Sequence, residues 1–324
     1  MASLRNYIIR RTLETIPVIF IVVIINFSLI HLAPSDPAVI LAGEYADPGY
    51  IEAIRIKYGL NLPLHEQLIN YLNHLLRGDL GFSIQYNRSV ASLIRERLPL
   101  TLLIIVPGEI LGIILGTLLG AYAARKHGSK IDAILSTTSF ALYSTPSFWI
   151  GLMLIILFGV VLRIFPIGGY RTIFENLTGI EYVLDVLWHM FLPMFTIMIS
   201  WCLPISLRIA RASVMETMRE DYIVTARAKG LKESVVFYKH ALRNALLPTI
   251  TMTGMWLAFS ITGSILIETI FGWPGMGNLT RESIFARDYP ILMAVLLMAS
   301  ITVVLASMIS DIIYAYLDPR VVYK

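Results

Sequence analysis

Long apolar runs separated by short polar stretches dominate the pattern of this 324-residue chain. Runs near 9–32, 100–123, 134–162, 189–212, 247–270 and 290–317 each reach the length of roughly 18 residues that marks a membrane-crossing helix. The pattern predicts an all-α integral membrane protein of about six transmembrane helices, with a helical insertion at 33–99 after the first. The opening stretch, 1–32, has the basic start and apolar core of a secretory signal. Its run is too long for one and no small-x-small cleavage site follows, so it reads as the first transmembrane helix.

Within the insertion the periodicity shortens. Asp47 and Pro48 open a helix as N-cap and first helical residue, and Gly59 stops it. Pro63 and Gly78 bracket a second, and Ser89 caps a third that ends before Pro99. Ile51, Ile54, Leu68, Leu72 and Leu75 give the first two an apolar face. Such an element suits a cap on the outer helix ends or a docking platform for another protein; the sequence leaves both open.

Polar positions inside the apolar runs are few. Gly108, Gly112, Gly116 and Gly120 form a ridge along the second run that lets a neighbouring helix approach closely. Glu109 interrupts it, and a carboxylate at that depth needs a partner or water unless it lies near the outer interface. In the fifth run, Ser260, Thr262 and Ser264 place small hydroxyls at mid-membrane, and Glu268 falls at the outer end. These five residues are the candidates for a translocation pathway; hydrogen bonding between packed helices is the alternative for each hydroxyl. The stretch "FGWPGMG" reads as an interfacial turn with Trp273 at the headgroup level.

Composition and charge orient this pattern. The chain is 56% hydrophobic and 15% charged, too few charges to cover a soluble surface. Its formal charge of +4 comes from basic residues clustered before the first run, between the second and third, between the fourth and fifth, and at the end. All fall on one side, which the positive-inside rule makes cytoplasmic, together with both termini; no nucleic-acid partner is implied. The single cysteine, Cys202, excludes an intrachain disulfide and a Cys-cluster metal site, and reads as a small buried hydrophobe. Neither H-E-x-x-H, nor G-x-S-x-G, nor a P-loop occurs. Arg208 and Asp311 near cytoplasmic helix ends read as snorkelling or capping groups. The sequence predicts no enzyme and no cofactor bound by the chain.

The one long cytoplasmic interruption, 213–247, is unlike a simple turn. Met215, Met218, Tyr222 and Ala226 recur at helical spacing, continuing the fourth run outward to a left-handed stop at Gly230. Beyond it "LKESVVFYKHALRN" predicts a second short helix bearing Leu231, Val235, Val236 and Phe237. Exposed apolar groups ringed by charge mark a protein interface; an amphipathic helix on the lipid surface is the alternative.

The stretch "VTARAKG" ending at Gly230 resembles the E-A-A-x-x-x-G signature of permease subunits of binding-protein-dependent ABC importers, with Val224 and Thr225 in place of Glu and the first Ala. "TARAKGL" and "HALRNALLP" resemble the dipeptide and oligopeptide branch, as do "LLRGDLGFS", "ERLPLTL" and "ETIFGWPGMGNL…ARDYP". The insertion after the first run is similar to that of the first of the branch's two permeases. The resemblance implies a type I importer permease with its core at 100–317, a coupling loop at 213–247 and a cytoplasmic tail at 318–324. It implies that Thr225, Ala226, Arg227, Ala228, Lys229, Gly230, Leu231, Glu233 and Val235 meet an ATPase. The implied partners are a homologous second permease, two cytoplasmic ATPases that hold ATP and Mg, an outer substrate-binding protein and the bilayer of the cell membrane. Peptides are the implied cargo, with oligosaccharides or nickel chelates as alternatives. A self-sufficient, ion-driven carrier is disfavoured, because it would bury more ionisable residues at mid-membrane.

Overall fold

The computed structural model describes residues 4–31, 38–39, 46–57, 59–83, 85–173, 176–246, 248–249, 252–253, 256 and 260–317. Among the described residues the regular structure is helical apart from one short ribbon, in which β1 (Phe82–Ser83) pairs antiparallel with β2 (Arg88–Ser89). Among the described residues, Val90–Arg125, Gly179–Thr217 and Tyr289–Ile309 are long and apolar enough to cross a membrane, and one bent pair makes a fourth such run. The fold is therefore multi-pass. Of the expected fifth run, 247–270, much lies outside the described residues, as do the tail 318–324 and most of 32–45.

The chain divides into two compact units. One comprises residues 1–99 and 276–324. In it α1 (Leu4–His31) packs along α14 (Tyr289–Leu317). The insertion follows its turn chemistry: α2 (Pro48–Lys57) starts at the proline, and Asp47 Oδ2 accepts the Gly49 amide at 2.9 Å. Gly59 and Gly78, at φ +66° and +75°, adopt the left-handed conformation that lets the chain turn after α2 and after α3 (Leu64–Leu76). Ser89 does cap a helix, accepting Ser92 N at 3.4 Å. That helix, α4 (Val90–Arg125), does not end at Pro99 as expected but runs on through Pro99 and Pro107. A proline removes one backbone donor, which an apolar helix of 36 residues tolerates. The start of α4 packs Val90, Leu93 and Ile94 against Met276 and Leu279 of α13 (Met276–Ala286) and Ile291 of α14. Asp288, between α13 and α14, is buried and accepts Ser83 Oγ at 2.6 Å and Gln85 N at 3.1 Å.

The other unit is residues 100–275. The third apolar run is not one straight span. α5 (Lys130–Ser144) and α6 (Ser147–Leu154, continued by a π-helical stretch Ile155–Val161) meet at a bend of 100°. The cause is Pro146: it forces Thr145 into an extended conformation (φ −86°, ψ 130°) and cannot continue the helical ladder. The fourth run is longer than its apolar core. α7 (Gly179–Ile197), a π-helical turn (Met198–Cys202) and α8 (Leu203–Thr217) form one continuous run. The glycine ridge of α4 meets this run. A Cβ on Gly112 would lie 2.5 Å from Cys202 Cβ, and one on Gly108 2.8 Å from Met194 O. Gly116 and Gly120 would strike the Leu203 and Leu207 carbonyls. The ridge is thus used within the chain, and Cys202 is buried against it.

Candidate functional site

After α8 the polar interruption at 213–247 breaks sooner than the sequence pattern predicts. The helix does not continue to Ala226: residues 218–220 turn, and α9 (Asp221–Ala228) starts afresh behind an extended Glu220 (ψ 146°). Asp221 in its first turn favours the new start, since the helix dipole places partial positive charge there. Gly230, at φ +73°, then supplies the expected left-handed stop, and a Cβ there would touch nothing within 4 Å. Arg227 and Glu233 close the bend with an ion pair at 2.7 Å. Hydrogen bonding from Arg227 holds the Glu233 carboxyl below the usual carboxylate range, so the staple persists at neutral pH and opens only as the solution becomes strongly acidic.

Next come α10 (Glu233–Val235), a π-helical turn (Val236–Ala241) and α11 (Leu242–Ala245). Not all the apolar groups expected at the surface are there. Val236 packs with Ile223, Ala226 and Ala241, and Phe237 with Ala121, Val214 and Ala245. Two consecutive residues with one buried pocket each hold the run against α8 and α9. Val235 is half-buried, whereas Leu231 and Val224 are exposed beside Arg227, Lys229 and Lys232. Thr225, Ala228 and Lys229 are exposed on α9 and its turn, and Ala226 faces inward.

The membrane-embedded candidates separate into two places. Ser260 Oγ donates to Glu109 Oε2 at 2.6 Å, so two residues 151 positions apart form one buried polar pair. Glu268 belongs elsewhere: fully buried in α12 (Ile265–Ile270), it accepts Thr101 Oγ1 at 2.9 Å and Ser264 N at 3.3 Å. Thr262 and Ser264 are half-buried near it, on either side of Gly263. Trp273 is not an interfacial anchor; it is wholly buried, with Nε1 donating to Leu100 O at 2.8 Å. A side chain expected at the headgroups is instead the cap of a core with Phe271, Ile104 and Leu192. Ser260→Ala would strand the Glu109 carboxyl without that donor. We expect about 1–3 kcal/mol of lost stability, read as a lower Tm of the purified protein in detergent.

The structure also shows an element the sequence reading missed. Asp132, at the start of α5, is gripped by Arg211 of α8, with Nε to Oδ1 at 2.6 Å and Nη2 to Oδ2 at 2.9 Å. Ser129 caps α5 by accepting Asp132 N, a spacing of three that marks a helix start but says nothing of Arg211. Arg208 lies with its guanidinium over the Tyr143 ring at 5.6 Å. Among the described residues, no three His, Cys, Asp or Glu side chains are placed to share a metal ion.

Residues 116–323 match the family described as binding-protein-dependent transport system inner membrane component, and residues 4–105 match the N-terminal region of such components. The chain belongs to that family. The oligopeptide transport system permease protein AppB of Bacillus subtilis (strain 168) is 39% identical over 98% of this chain and 99% of its own length. The glutathione transport system permease protein GsiC of Escherichia coli (strain K12) is 36% identical over 98% and 99%. The protein is thus a non-catalytic membrane permease, coupled to an ATPase partner rather than hydrolysing ATP itself. Membership of this permease family implies a paired permease, ATPase subunits and a substrate-binding protein, and it displaces the ion-driven carrier. Several stretches that carried the resemblance are structural joints. "LGFS" and "ARDYP" meet in the Ser83–Asp288 hydrogen bond, while "ERLPLTL" and "ETIFGWPG" meet in the Thr101–Glu268 and Leu100–Trp273 bonds.

Proposed function

We propose that this permease forms half of the translocation pore of an ATP-driven peptide importer, and that the bend around Gly230 is where its ATPase docks. The observation that supports docking is the combination at one turn: a left-handed glycine, an ion-pair staple across it, and exposed Leu231 and Val224 among basic side chains. Apolar groups rimmed by charge are the composition of a protein contact. Thr225, residues 227–231, Glu233 and Val235 make up this surface over the buried Ala226, with Leu231 as its apolar anchor.

In this reading about six spans cross the cell membrane. They are α1, α4, the bent α5–α6 pair, α7–α8, the 247–270 segment and α14, with both termini cytoplasmic and 33–99 outside. At 28 residues, α1 is about 42 Å long, enough to cross. Glu109 and Ser260 are one pathway pair, and Thr262, Ser264 and Glu268 form a second polar group apart from it. Peptide cargo is favoured because relatives matching along nearly the whole chain are named for oligopeptide and glutathione transport. Oligosaccharides and nickel chelates are the alternatives. Uptake of labelled peptide by vesicles holding the whole importer and its binding protein tests this: an importer that accumulates only a sugar or a nickel chelate overturns the cargo.

Docking has its own test. In a cysteine-free background, a Leu231→Cys permease should crosslink to the ATPase subunit, while Val236→Cys, which is wholly buried, should not. Absence of any Leu231 crosslink in an intact complex, across several linker lengths, favours the lipid-surface alternative.

A further inference from the structure

The bend must move the membrane helices if it is to do work, and α8 is the obvious connection because the chain runs directly from it. A second connection is built from side chains. The loop between α4 and α5 is held at both ends. On one side, Arg125 donates through Nη1 to Tyr238 OH at 2.9 Å, and its guanidinium lies 5.8 Å from the Phe237 ring centroid and 5.5 Å from that of Tyr238. On the other, Asp132 holds Arg211 by two short hydrogen bonds and accepts the loop's own Gly128 amide at 3.1 Å.

We propose that this loop is a lever: clamped to the coupling run by Arg125 on Tyr238 and Phe237, and to α8 by the Asp132–Arg211 pair, it carries displacement of the Gly230 bend into α4 and α5. The proposal rests on the bend being the ATPase contact. Three features argue for a lever rather than a simple surface bridge. Bidentate geometry fixes the direction of the guanidinium as well as its distance, so rotation of α8 is passed to α5. The Asp132 side chain is only 6% exposed, and breaking a buried pair by removing one partner is costly because the other is left uncompensated. Finally, α4 and α5 are the helices that bear the glycine ridge and the Pro146 bend, so motion entering at the loop reaches both.

The test is substrate accumulated per ATP hydrolysed, in vesicles containing the complete importer with its binding protein. Asp132→Asn and Arg211→Met should each lower this ratio about tenfold while ATP hydrolysis continues. The double variant should be no worse than the poorer single, because the two residues act as one joint. Arg125→Gln and Tyr238→Phe alter exposed side chains and do not threaten folding; each should lower the ratio about threefold. A ratio unchanged in these two surface variants, with the Leu231→Cys crosslink to the ATPase intact, overturns the lever but leaves docking standing. Loss of that crosslink in the otherwise unaltered importer overturns docking and the lever together.

Discussion

A Gly230→Val importer should reach the membrane in normal amounts, assemble with its partners and hydrolyse ATP, yet take up substrate about 100-fold more slowly. The reason is conformational. Gly230 sits at φ +73°, where a β-branched residue is a genuine outlier. A Cβ there meets nothing within 4 Å, so the substitution leaves the core alone and acts only on the direction in which the chain leaves α9. Redirected, residues 231–235 no longer carry Leu231 to where the Arg227–Glu233 staple holds it. Gly230→Asn provides the control, because asparagine enters the left-handed region at little cost and should keep at least half of normal uptake. Equal loss in both variants would mean that bulk, not backbone direction, is what the partner refuses. Normal uptake by the valine variant would remove the bend from the coupling route altogether.

The second large effect is expected in the membrane. Gly116→Leu should cut the yield of folded, partner-bound permease about tenfold. Position 116 faces α8 so closely that a Cβ would run into the Leu203 carbonyl and approach Ser206 Cβ to 2.8 Å. The obstacle includes backbone, which cannot change rotamer to make way. The helices must separate, losing contacts on both sides of the ridge. Overpacking of this kind costs about 1–3 kcal/mol, and more where the neighbour is rigid. In a bilayer no hydrophobic effect compensates, because lipid tails are as apolar as leucine, and close packing is what holds such helices together. Leu118, two residues on, is 60% exposed, so Leu118→Ala should change the yield by less than twofold. Chromatography of the detergent-extracted complex distinguishes the two, and a normal elution profile for Gly116→Leu would contradict the packing shown here.

A local signal yields to a distant partner in one place and to a longer apolar run in another. Tryptophan in a glycine-rich turn ordinarily anchors at the headgroups, but Trp273 finds an acceptor in Leu100 O, 173 residues away, and is buried. The helix after Ser89 was expected to stop before Pro99 because proline usually ends a helix, yet the apolar run beyond it keeps the ladder going to Arg125. The Asp132–Arg211 joint had no signature at all. An aspartate in a first turn and an arginine near a helix end each carry no signal until α5 and α8 pack.

What the sequence determined by itself was everything carried by short-range chemistry. Hydrophobic run length set the membrane class, Asp47–Pro48 and Gly59 set a helix and its end, and Gly230 set the bend, because each depends on neighbours within a few residues. The spacing of the α4 glycines announced a close contact without naming its partner. Only the tertiary structure decided which polar groups share a site: Ser260 with Glu109 across 151 positions, Asp132 with Arg211 across 79, Ser83 with Asp288 across 205. Away from water, a buried polar group is stable only with a partner, and which partner it gets depends on how the helices pack.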